Sequence, residues 1–260
     1  MRFGVCSAID TASLLSDAGF DYIELSVAGD LNPDLSDVEW APIARTIEKM
    51  PLRPEAFNSF VRSAHIVGPN VDSAYLARYV AIATARAASV GGHIIVFGSG
   101  GARQIPTGFS HDRAALQLAD FLSLCGDHGA RHDITIVIEP LCSAECNSIN
   151  LVSQGAALAR ATAKSHLMAL ADTYHMEAEG EPITAITDAA DVLRHVHTAD
   201  TGRYAPGTGT YDHAAMFRAM LAARYDARLS IECNWQGRLQ EQAAVSLSQL
   251  KHALQMANPS

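Results

Sequence analysis

Short apolar runs recur along the second half of this chain at a spacing that leaves few ways to fold it. The runs are ITIVIE (134–139), HLMALAD (166–172), LRHVH (193–197) and RLSIE (228–232). Each ends in a polar residue, Glu139, Asp172, His197 or Glu232, and successive members of this set lie 33, 25 and 35 positions apart. One strand with its crossover helix takes about 30 residues. The spacing therefore places the four at the C-terminal tips of successive parallel strands. Earlier in the chain RFGVC (2–6), DYIELSV (21–27), RPEAFNSF (53–60) and HIIVFGS (93–99) read as four more buried strands.

Helices are expected between them wherever capping residues precede a 3.6-residue apolar period. They run from Asp10 and Thr11 to just before Gly19, after Ser36 and Asp37, from Asn70 and Asp72 through 75–90, from Ser110 to about His128, over 149–163, near 183–190, over 213–224 and over 238–257. Eight βα units with no Pro/Gly/Ser linker point to an α/β protein with a single domain over 1–260, a (β/α)8 TIM barrel, whose usual length is about 250 residues. The acidic stretch HMEAEGEP (175–182) reads as a long loop covering one end of the barrel.

In this fold the strand tips build the active site. Three carboxylates gathered there repel one another and are costly to bury unless a cation neutralises them. Any one of the four residues alone reads as well as a cap for the following helix. Four in successive units point instead to an oxygen-rich site for one divalent cation held by Glu139, Asp172, His197 and Glu232. In the loops just beyond them Glu145, His175 and Arg203 are placed to reach a bound polyol. Glu24 and Asn58 end the second and third strands and face the same mouth. The glycine-rich stretches FGSGGAR (97–103) and PGTGTYD (206–212) read as turns, with Asp212 capping the next helix. His65, His93 and His195 suggest structural roles, and His195 shares a strand face with His197 one layer deeper.

With 19 basic against 28 acidic residues the net charge is −9, which disfavours a nucleic-acid partner. No apolar run reaches the roughly 20 residues of a membrane span. MRFGVCSAID reads directly as a strand rather than a signal peptide. The five scattered cysteines read as reduced thiols, so a cytoplasmic protein is expected. A homo-oligomer is left open.

The chain resembles the xylose-isomerase-like TIM barrels, in particular the sugar phosphate isomerase/epimerase superfamily that includes the ketose 3-epimerases. The resemblance is carried by IEPL at 138–141, D-x-x-H in DTYH at 172–175, H-x-x-D-x-x-R followed by PG-x-G in HTADTGRYAPGTG at 197–209, and the glutamate that ends strand eight. It implies that Glu139, Asp172, His197 and Glu232 ligate the metal, most often Mn2+, with Mg2+, Co2+ or Zn2+ open. It also implies that Glu145, His175 and Arg203 contact a sugar or polyol substrate. The family's 3-epimerases carry an aromatic wall beyond strand four, where this chain has FGSGG.

Proton transfer beside a carbonyl follows as the expected chemistry. The cation stabilises an enediolate, while Glu139 and Glu232 remove and return the proton. Return to the opposite face gives epimerisation, return to the adjacent carbon gives isomerisation, and loss of a β-hydroxyl gives a dehydratase or lyase acting on keto-sugars or inososes. An endonuclease IV-like nuclease would need further zinc-binding histidines where FNSF, FGSGG and YDH stand. A non-catalytic sugar-binding barrel is the remaining reading.

Overall fold

The computed structural model describes residues 1–258. Eight strands close into a parallel barrel in the order of the chain: β1 (Arg2–Cys6), β2 (Tyr22–Ser26), β3 (Pro54–Asn58), β4 (Ile94–Phe97), β5 (Thr135–Ile138), β6 (Leu167–Asp172), β7 (Leu193–Thr198) and β8 (Arg228–Ile231), with β8 pairing back onto β1. Around it run α1 (Ala12–Asp17), α2 (Asp37–Glu48), α3 (Ser73–Ser89), α4 (Gly100–Arg103), α5 (His111–His132), α6 (Val152–Thr162), α7 (Thr173–Glu179), α8 (Ala185–Asp188), α9 (His213–Ala222) and α10 (Leu239–Ala257). The helix starts obey local chemistry. Ser36 and Glu39 form a reciprocal capping box on α2, while Asp72 and Asp212 accept from Tyr75 N (2.9 Å) and Ala215 N (2.8 Å) at the starts of α3 and α9.

Strand alternation divides the core in two. Tyr22, Ala56, Ile94, Val96, Val137 and Leu170 form a buried cluster inside the barrel, whereas Val5, Ile23, Leu25, Phe57, Ile95 and Ile136 belong to the larger cluster packed with the helices. Gly4 makes room for the first group, since a Cβ there would lie 2.3 Å from the Tyr22 ring. Polar side chains share the inner face with the apolar cluster, and they build both the site and the opposite end of the barrel.

Two expectations for the connections differ from what is observed. HMEAEGEP is not a loop: its first five residues belong to α7, which Asp172 caps and Gly180 ends in a left-handed conformation. FGSGGAR is not a plain turn either, because Gly100–Arg103 coil into the short α4. Among the described residues no helix is long and apolar enough to cross a membrane, and the five cysteines are free.

At the N-terminal end of the barrel Glu55 is shared by Arg228 Nε (2.6 Å) and Arg2 Nε (3.1 Å), tying β3 to β8 and β1. Burial raises the Glu55 carboxyl, but the hydrogen bonds from Arg2 and Arg228 prevail and hold it below its ordinary 4.5. Such a carboxylate stabilises the fold above its unfolded pKa, and the stabilisation is lost as pH falls through the lower folded value. Glu55→Gln should cost about 1–2 kcal/mol at neutral pH after screening. In urea melts its deficit against the native chain should shrink steadily below about pH 4.5. A deficit that stays constant to pH ~3 would remove the ion pairs as its cause.

Candidate metal centre

The tips of the last four strands each deliver one side chain to a common point. Asp172 is the last residue of β6, His197 the penultimate residue of β7, and Glu139 and Glu232 immediately follow β5 and β8. One ligand atom from each of Glu139, Asp172, His197 and Glu232 can be chosen so that all lie within 4.8 Å of one another. His197 Nδ1 is the hub, 3.0 Å from Glu139 Oε1, 3.7 Å from Glu232 Oε2 and 3.9 Å from Asp172 Oδ2.

The two oxygens of Asp172 have separate duties. Oδ1 caps α7, accepting from Tyr174 N (2.7 Å) and His175 N (3.4 Å). Oδ2 is buried with no hydrogen-bond partner. A buried unpaired acceptor is costly, and here it points at two other carboxylates. Burial pushes the Asp172 carboxyl up to about 8, with the charges of Glu232 and Glu139 adding to the effect. Burial likewise raises Glu139. At Glu232 burial is outweighed by the charge of His197, whose Nδ1 is 3.7 Å away, and by Arg203, which hold it at about 2. Three carboxylates and one imidazole in a buried pocket, one oxygen of which lacks any partner, fit a divalent cation of the Mn2+ or Mg2+ kind.

Backbone and loop chemistry hold these groups in place. Arg103 is fully buried and clamps β4 to β5, donating from Nε to Gly98 O (2.6 Å) and from Nη2 to Glu139 O (3.0 Å). A Cβ at Gly98 would sit 2.1 Å from Glu139 Oε2 and push that carboxylate out of the site. Asp200 organises the loop after β7. Its Oδ1 accepts from Thr201 N and Tyr211 N (2.9 Å each) and its Oδ2 from Gly207 N (2.8 Å). That loop presents Arg203 at a positive φ of 63°.

All three polyol-contact candidates arrive at the same mouth. Arg203 donates to Glu232 Oε2 (2.7 Å) and Glu145 Oε1 (3.1 Å), and its guanidinium lies 4.8 Å from the Tyr174 ring centroid. His175 Nε2 is buried, unpartnered and 4.0 Å from Asp172 Oδ2. Its Nδ1 accepts from Cys142 N (3.1 Å). Burial, and then the charge of Arg203, lower His175 to about 4, which keeps it neutral with Nε2 as the protonated nitrogen. Above the carboxylates a cavity of about 350 Å³ is lined by Asn58, Ser59, Arg62, the 98–102 segment, Glu139 and Glu232.

Three residues have duties that the sequence does not reveal. Asp200 lies inside the quoted motif, but nothing in the motif tells its loop-ordering duty. Arg103 closes the FGSGGAR stretch, and nothing in that stretch tells that it clamps two strands. Glu24 does not end its strand: it sits in the middle of β2, wholly buried, where it receives hydrogen bonds from both His195 and His197. Asn58 does end β3 and lines the cavity.

The chain belongs to the xylose isomerase-like TIM barrel family, whose model matches residues 12–253. Its relatives include the L-ribulose 3-epimerase of Mesorhizobium japonicum, 30% identical over 224 residues that cover 83% of this chain and 72% of that enzyme. The 3-dehydro-D-guloside 4-epimerase of Escherichia coli is 31% identical over 116 residues, a match that spans 44% of each protein and so less than half of that relative's length. Among solved structures the 3-keto-D-glucoside 4-epimerase from E. coli superposes with a TM-score of 0.81 over 97% of this chain and 99% of that one, at 23% identity, a likeness of fold.

Proposed function

We propose that this protein is a divalent-cation-dependent epimerase of keto-sugars. The observation that carries the reading is the convergence of Glu139, Asp172, His197 and Glu232, with Asp172 Oδ2 buried and unpartnered, beneath a cavity of monosaccharide size. The related L-ribulose 3-epimerase and 3-dehydro-D-guloside 4-epimerase support it, since both names describe inversion of a sugar carbon. Those four residues would hold the cation. When bound, it supplies Lewis acidity to the substrate carbonyl and acidifies the neighbouring C–H.

The chain's own groups account for the rest. Glu139 and Glu232 come from β5 and β8 and both line the cavity, so they are placed to flank a substrate carbon. One carboxylate takes the proton from one face and the other delivers a proton to the opposite face, which inverts the centre. His175, neutral and protonated on Nε2, donates to a substrate oxygen. Arg203 keeps Glu232 ionised and donates to a hydroxyl. The five free thiols fit a reducing compartment such as the cytoplasm.

Incubation of the metal-loaded protein with a panel of free ketoses and keto-glycosides should yield an epimer of at least one, with activity lost on chelation and restored by Mn2+. Water release instead of inversion would move the protein to the dehydratases, and no conversion across the panel would sink the reading. Arg203→Ala should retain metal and fold but lose about 1.5–3 kcal/mol of transition-state stabilisation, a ten- to hundred-fold fall in kcat/KM. Metal loss in that variant would place Arg203 in the wrong role.

A further inference from the structure

Below the cation site the barrel interior contains a polar assembly of which the chemistry above uses only His197. Glu24 is fully buried, as are His195, His197, Ser230 and Tyr22. Its Oε2 accepts from Ser230 Oγ (2.6 Å) and faces His195 Nε2 (2.9 Å), and its Oε1 faces His197 Nε2 (3.0 Å). Counting hydrogens fixes the directions. With Glu24 as a carboxylate, which only accepts, both imidazoles present N–H at Nε2. Ser230 spends its one proton on Glu24, so Tyr22 donates to Ser230 Oγ at 2.8 Å. His195 Nδ1 is buried without a partner, which suits a bare lone pair better than an N–H and makes His195 the neutral Nε2–H form.

Burying a carboxylate this deeply is expensive, and an apolar residue would serve a purely packing role better. The feature that gives the charge a use is its position relative to His197. That ring has one nitrogen on Glu24 and the other at the hub of the carboxylates. It is held edge-on by His195, with centroids 4.9 Å apart and planes at 78°. Taking the cation site proposed above as given, we propose that Glu24 is a positioning residue for His197: it keeps the proton on Nε2 and fixes the ring, so that Nδ1 is the nitrogen that gives up its proton and offers its lone pair when the cation binds. Carboxylate partners on the far nitrogen of a metal-bound histidine commonly act in this way, and their loss weakens metal binding about ten- to a hundred-fold.

The test is metal affinity, read apart from catalysis. Metal-free native protein and Glu24→Gln are titrated with Mn2+, following the signal of the free ion by electron paramagnetic resonance. The native chain should bind one equivalent, and Glu24→Gln one equivalent about ten- to a hundred-fold more weakly, with its thermal midpoint little changed. Equal affinity would overturn the proposal. So would a second tight equivalent lost in Glu24→Gln, because that would place an ion among Glu24, His195 and His197. Absence of any binding by the native chain would retire the cation site itself and this inference with it. Should Glu24→Gln not fold, imidazole 15N shifts of the native protein loaded with Mg2+ decide alone. His197 should show a protonated Nε2 and an unprotonated Nδ1, and the reverse tautomer would overturn the assignment.

Discussion

Deuterium from solvent should enter the carbon beside the carbonyl when a keto-sugar substrate is incubated in D2O with the metal-loaded protein, and the two glutamates should divide that exchange between them. A positioned acid or base contributes about 10²–10⁴-fold. Starting from one epimer, Glu139→Gln should suppress wash-in by that order. Starting from the other epimer, the same fall should belong to Glu232→Gln. Both side chains can still present an amide oxygen to a cation, so metal content is measured alongside, and only samples that retain it are compared. Isotope content is read by mass spectrometry of the recovered sugar. Inversion without any deuterium would argue for hydride movement or a shielded proton. A variant that blocks wash-in equally from both epimers would assign the whole task to a single carboxylate.

Among the proposed ligands Asp172 is the one whose replacement should cost the most binding with the least ambiguity, because its two oxygens are separable. Asn in its place keeps an oxygen for Tyr174 N and His175 N at the start of α7 and puts an amide NH2 where Oδ2 now faces Glu139, Glu232 and His197. Asp172→Asn should therefore remain folded, while losing stoichiometric Mn2+ at concentrations that saturate the native protein, and epimerisation with it. Asp172→Ala should lose the metal too and, stripped of the cap, about 1 kcal/mol of stability more than the Asn variant. Elemental analysis and melting curves separate the two effects. Native-level metal in Asp172→Asn would exclude Oδ2 as a ligand.

The ladder of eight units was legible because the spacing of apolar runs is fixed by the size of a βα unit, and the four strand-tip residues came with it. All seven residues singled out for the metal and the polyol gather at one mouth. The order of the acidic stretch after β6 was not read. Its Glu, Gly and Pro content resembles a loop, although Asp172 as cap and Gly180 as terminator were both present in the sequence. The Glu24 assembly was beyond reach for a different reason. Strand alternation puts His195 and His197 on one face, but their acceptor lies 171 and 173 positions away across the barrel, and nothing local announces that pairing. Arg103 was hidden in the same way, its partners being backbone carbonyls that no side-chain pattern encodes.

The walls of the mouth are built from different parts of the chain. The four side chains proposed to hold the cation come from the tips of β5 to β8, whereas much of the cavity lining is supplied by Asn58, Ser59, Val61 and Arg62 at and beyond the tip of β3 and by residues 98–102 after β4. Under the proposed function, substrate preference can therefore change while the cation site stays intact. Gly98 is locked by its closeness to Glu139, but at Gly101 an added Cβ meets nothing within 4 Å. A library confined to Gly101 and its neighbours across the cavity, Ser59 and Arg62, is the shortest route by which a breeder of enzymes would retrain this barrel on a sugar of another shape.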